Sequence, residues 1–164
     1  MMTLTDRAPM GWMLLVFLLV MVLANIALAA ITWYFPDLPV PSAMGIVLAM
    51  VASMSAGQSG AKATGRRLTG GEKAGFAFLA TVLSTVIGLG VYWGIFLYHG
   101  IPFTLENIAL VGADAVIPAT DMRSILAWVA PIVLLLYLAA TYFGVAMGAR
   151  NQIKLQEKLD ARRK

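Results

Sequence analysis

The stretch GQSGAKATGRRLTGGEK, residues 57–73, decides how the rest of the chain is read. It lies near the middle of a very apolar sequence and holds Lys62, Arg66, Arg67 and Lys73 against one acid, Glu72. The segments on either side read as membrane-spanning helices. Lys and Arg near the ends of such helices favour the cytoplasmic side. Placing this stretch inside therefore sets the side of every other segment.

The bulk composition agrees with a membrane reading. The chain has 164 residues, of which 60% are hydrophobic and 12% charged. A soluble domain would be about a quarter charged. Long apolar runs at this charge level indicate an integral membrane protein. The length allows one small bundle, so residues 1–164 are expected to form a single membrane domain. Cys is absent, which removes disulfides, thiol nucleophiles and thiolate metal sites. The net charge of +4 comes from basic residues that flank apolar helices. There they set topology and meet anionic lipid, so no nucleic-acid partner is expected.

Four spans follow along the chain. Residues 11–35 carry no charge and form the first, with Trp12 at one end and Trp33, Tyr34 and Phe35 at the other. Those aromatics match interfacial belts. The same segment has features of a secretory signal, with Arg7, an apolar core and Ala27-Leu28-Ala29. The apolar run continues to Phe35, which favours a retained helix. Residues 36–41, PDLPVP, cannot continue a helix and form a tight turn, with Ser42 available to cap the next one. The second span covers residues 43–63. Ala49, Ser53, Ala56, Gly60 and Ala63 fall on one of its faces, and Ala52, Ser55 and Ser59 on the opposite one. Small residues let helix backbones approach closely in lipid. This helix is therefore expected at the centre, packed on more than one side.

Thr69 and Glu72 have capping-box spacing and start the third span, residues 70–98. Gly90 and Gly94 form a candidate contact face on it. Residues 99–123 make the longest connection, acidic yet apolar. A structureless loop of that length is uncommon, so a short extra helix is expected from Thr104. The fourth span covers residues 122–150, with Asp121 as its N-cap and Pro131 as a kink point. Gly144 and Gly148 give it a small-residue face, and residues 151–164 extend it as a charged helical tail.

Charge counting gives the orientation. Arg7, the four cations of residues 62–73 and six in residues 150–164 share one side, whereas Arg123 stands alone on the other. This asymmetry places both termini in the cytoplasm. The fold class is thus all-α, a four-transmembrane-helix bundle in a bacterial inner membrane.

Between their terminal turns the spans carry no Asp, Glu, Lys, Arg or His. Transporters and pumps usually place such a residue in the membrane. The omission argues against proton-coupled antiport, including the small four-helix multidrug type with its acidic first span. Asn25 is the deepest strongly polar side chain and is expected to reach Ser84 or Thr85 across the bundle, an interaction worth about 1 kcal/mol in lipid. His99 is the only histidine, and Glu106, Asp114 and Asp121 around it match no metal-ligand spacing. No GxSxG motif is present. Seven of the ten Met fall within apolar spans and read as packing residues. No catalytic residue, cofactor or metal is therefore expected, and the protein is read as a non-enzyme.

The cations Lys62, Arg66, Arg67 and Lys73 have two readings: a topology anchor, or a contact site for anionic lipid or a protein partner. The Ala61-x-x-x-Gly65-Arg66 pattern, the Leu68-Thr69-x-x-Glu72 cap and the overall layout resemble small four-helix inner-membrane proteins of proteobacteria. That resemblance implies a fold but no activity. Function is expected to lie in helix–helix contacts, as an accessory or assembly subunit of a membrane complex or as a homo-oligomer. The alternative is a small-solute or ion pathway through the bundle, motivated by Asn25, Gln58 and the polar half of the second span.

Overall fold

The computed structural model describes residues 7–35, 37, 44–102, 104 and 119–163. Four long helices account for almost all of them: α1 (Met10–Tyr34), α2 (Met44–Thr64), α3 (Gly70–Tyr98) and α4 (Ala119–Arg163). Each contains a stretch long and apolar enough to cross a membrane. At 1.5 Å per residue, even the 21-residue α2 matches a hydrocarbon core of about 30 Å. The chain thus has the make-up of a multi-pass membrane protein.

The helix ends follow from local chemistry. α1 starts after Pro9, whose φ of −74° suits a helix entry. It stops at Phe35, the residue before Pro36, where proline disfavours helical backbone. α2 ends at Gly65, which takes a φ of +65° while its N–H donates to Ala61 O at 2.9 Å. α3 ends on Gly100, also at +65°, with Ile101 N–H reaching Phe96 O at 2.9 Å. That six-to-one closure is a Schellman stop, needing a left-handed residue that glycine supplies freely.

One boundary differs from expectation, and the expected helical tail is present. α4 begins at Ala119, so Asp121 lies inside the first turn instead of capping it. Acidic residues are favoured there too, because the helix dipole is positive at that end. α4 then continues through Pro131 to Arg163, so the charged tail belongs to the same helix. The proline turn, apart from Asp37, and the Ser42 cap lie outside the described residues. Of the short helix expected from Thr104, only Thr104 itself is described.

The chain gathers into two compact units, Met1–Ala80 with Tyr137–Lys164, and Thr81–Leu136. The first contains a continuous core of Met13, Phe17, Ala52, Ala56, Ala61, Leu68, Phe76, Ala80, Val145 and Ala149. Phe17 and Phe76 meet edge to face with ring centroids 5.9 Å apart. α2 is the middle helix of this unit. A Cβ on Gly60 would come within 2.6 Å of Met13 Sδ from α1, and one on Gly57 would collide with the Val145 carbonyl of α4. From the α4 side, a Cβ on Gly144 would sit 2.5 Å from Met50 O, and one on Gly148 would run into Met54 O. Backbone therefore rests on backbone along the α2–α4 seam. In lipid this close packing replaces the hydrophobic drive that assembles soluble bundles.

The second unit is more open. Phe96 and Thr81 are buried, but Val86, Leu89, Val91, Trp93 and Leu97 are all exposed. Among the described residues, Gly88, Gly90 and Gly94 have no atom within 4 Å of the position a Cβ would take.

Candidate functional site: a basic cleft at the end of the bundle

The turn between α2 and α3 is built around one carboxylate. Thr69 N–H donates to Glu72 Oε2 at 2.8 Å, and Glu72 N–H donates to Thr69 Oγ1 at 3.2 Å. This reciprocal pair is the capping box legible in the sequence. Arg66 adds a two-pronged ion pair, Nη2 to Oε1 at 2.8 Å and Nη1 to Oε2 at 3.0 Å. Ala8 N–H, just ahead of α1, donates to Oε1 at 3.0 Å. One carboxylate thus ties together the entry to α1, the end of α2 and the start of α3. Bidentate Arg–carboxylate pairing adds directional rigidity to such a hub.

That arrangement sorts the cations. Arg66 is committed to Glu72, and its Nη1 also donates to the Arg67 carbonyl at 3.0 Å. Arg66 thus has a structural role in the turn. A separation of six along the chain matches no helical pairing rule, so only the folded turn brings the two together. Lys62 is exposed on the last turn of α2. Leu68 is buried in the core and anchors the turn. Arg67 lies between these anchors and remains exposed.

Arg67 lines a partly enclosed cleft of about 230 Å³ together with Leu68, Lys73, Ala146, Ala149 and Arg150. Three cations surround an apolar floor, and among the described residues no carboxylate contributes to the lining. Lys73 Nζ lies 5.7 Å from the centroid of the Tyr142 ring, one helical turn before Ala146. The ring face holds the ammonium toward α4 by a cation–π contact. The cleft is chemically suited to an anion with an apolar attachment. It has no nucleophile paired with a base. Among the described residues, no three His, Asp or Glu gather as metal ligands would.

Sequence reasoning found Arg67 and Lys73 but missed Arg150, which had been read as the end of a span. Its position depends on Gly144 and Gly148 seating α4 against α2, a register that no sequence signal gives.

The other candidate residues divide. Ala49, Ser53, Ala56 and Gly60 are buried on α2, and Gly144 and Gly148 close the seam from α4. Gly90 and Gly94 make no such contact. Asn25 and Thr85, two of the residues expected to meet in a polar bridge, each hold a local bond on their own helix. Asn25 Nδ2 donates to Met21 O at 2.8 Å, and Thr85 Oγ1 donates to Thr81 O at 2.9 Å. A side chain one turn from a carbonyl on its own helix can satisfy itself there before it reaches a neighbour. Ser84 is half-buried. His99 packs edge to face on Tyr98 at 5.2 Å, past the end of α3.

No family model, curated protein or solved structure matches this chain.

Proposed function

We propose that this chain is a non-enzymatic multi-pass protein of the bacterial inner membrane, a single membrane domain that works through lateral helix–helix contacts. It serves as an accessory or assembly subunit of a membrane complex, or as a homo-oligomer. Both termini lie in the cytoplasm, because eleven of the twelve Lys and Arg flank one end of the spans.

The observation that carries this reading is the open stripe on α3. Val86, Gly90, Trp93, Gly94 and Leu97 follow steps of four, three, one and three, which is one face of a helix. All five are exposed, and the glycines have nothing against them. Glycine inside a helix costs about 1 kcal/mol relative to alanine. In membranes such a cost is offset where a second backbone lies in the notch.

The pathway alternative has one observation in its favour. Ser53 Oγ and Ser59 Oγ are buried without a hydrogen-bond partner. The space around this half of α2 is nevertheless filled. Met13 lies over Gly60, Val145 over Gly57, and Ser53 Cβ lies 2.9 Å from where a Gly144 Cβ would be. Close backbone contact at these positions supports a packing role over a route along the helix.

Extraction in a mild detergent followed by native mass spectrometry tests the contact reading. The expected result is a mass above that of one chain, from a second copy or another membrane protein. A bare monomer under every mild extraction condition would contradict it.

A further inference from the structure

We infer that the cleft bounded by Arg67, Lys73 and Arg150 binds the phosphate headgroup of an anionic phospholipid. This goes beyond the contact role of α3 and does not depend on it, since the two features lie on different residues.

The argument starts from charge. Three cations share one small cleft, with no carboxylate among the described residues of its lining. Glu72, the nearest acid along the chain, already accepts from Arg66, Thr69 and Ala8. Like charges held together in a partly dehydrated space repel, and an anion among them removes that cost. Arg guanidinium groups match phosphate oxygens in a fork, while Lys contributes a compact charge.

The cleft is also held in shape before anything binds. The Arg66–Glu72 pair locks the turn, Leu68 fixes it in the core, and the Tyr142 ring holds Lys73. Pre-positioned donors lose less freedom on binding than mobile surface side chains.

The floor then selects the kind of phosphate. Leu68, Ala146 and Ala149 offer apolar surface beneath the charges. A free inorganic ion would gain nothing from it, whereas a glycerol backbone and acyl chain would. Phe143 and Met147, on the next stripe of α4, are exposed and apolar, giving an acyl chain a surface to follow. Arg67, Lys73 and Arg150 all stand where long apolar runs begin or end, which is headgroup depth in a bilayer.

The test uses the full-length protein in neutral detergent, titrated with phosphatidylglycerol, phosphatidylcholine or inorganic phosphate, with bound molecules counted by native mass spectrometry. Phosphatidylglycerol should bind in preference to phosphatidylcholine. Arg67→Gln and Arg150→Gln should each weaken it about fivefold, and the double variant about twenty-five-fold. Lys62→Gln, which alters a cation outside the cleft, should change binding less than twofold. Arg67→Lys and Arg150→Lys should keep most of the binding, and the thermal melting temperature identifies any variant that fails to fold. Equal losses from Lys62→Gln would reduce the effect to diffuse surface charge and overturn the site. Equal retention of phosphatidylcholine would do the same. Displacement of the lipid by millimolar inorganic phosphate would reassign the cleft to a soluble phosphate and overturn the lipid assignment.

Discussion

Two sets of glycines stand in contrasting surroundings. Gly57, Gly60, Gly144 and Gly148 are filled, since each has a backbone carbonyl or the Met13 thioether where a side chain would be. Gly88, Gly90 and Gly94 are empty, with no atom within 4 Å. The residue type is the same, and the spacing of four recurs in Gly90 and Gly94 as in Gly144 and Gly148. The difference is the neighbour. A small-residue step only gives a helix the capacity for close approach, and a second backbone has to use it. In Met1–Ala80 with Tyr137–Lys164 that backbone belongs to the same chain. For the α3 stripe we propose that it belongs to another.

Substitutions can break this contrast, and the largest effect is expected at the filled glycines. Gly148→Ala forces a Cβ into the Met54 carbonyl, which is backbone and cannot rotate away. It should destabilise the fold by about 3 kcal/mol, read by reversible unfolding in mixed micelles. A loss below about 0.5 kcal/mol would show that the α2–α4 seam is looser than described.

A smaller effect is expected at the hub that joins the helix ends. Glu72→Gln keeps an acceptor for the Thr69 cap but loses the charge opposite Arg66. Arg66 is 38% exposed, so solvent screens the pair and the expected loss is about 1 kcal/mol. Added salt should narrow the gap between wild type and variant. A gap unchanged by salt would mean that the loss comes from the cap and not from charge.

The smallest effect on stability is expected at the empty glycines. Gly94→Ala meets open space and improves helix propensity, so the monomer should be unchanged or gain up to about 1 kcal/mol. The same change should weaken lateral association, because the added methyl fills the notch. Stability and association then move in opposite directions, which neither packing nor propensity alone would produce.

Much of the architecture was legible from local chemistry. Uncharged apolar runs, the prolines at 36–41 and the Thr69–Glu72 box placed most helix ends within a residue or two of where they fall. The small residues of α2 also indicated a helix packed on more than one side. The α4 seam, however, runs along Met50, Ser53, Met54 and Gly57 rather than the expected second face of Ala52, Ser55 and Ser59. The site was only half legible. Arg67 and Lys73 belonged to an evident basic cluster, whereas Arg150 enters the cleft through the register of α4 on α2. That register is a tertiary fact with no sequence period of its own. The Arg66–Glu72 pair was not legible, because its two partners lie across a turn. The local bond of Asn25 was not anticipated either, although its own helix offers a carbonyl one turn away. Gly90 and Gly94 show the limit most plainly, since their spacing signals a contact without saying with whom.

Site-specific photo-crosslinking in native membranes tests the central claim most directly. A benzoylphenylalanine replaces Trp93, inside the open stripe, or Val91, two residues away on a different face and equally exposed. The account predicts a protein adduct from position 93, to a second copy or another membrane chain, and little or none from position 91. Equal yields from both positions, or lipid adducts alone from position 93, would contradict it.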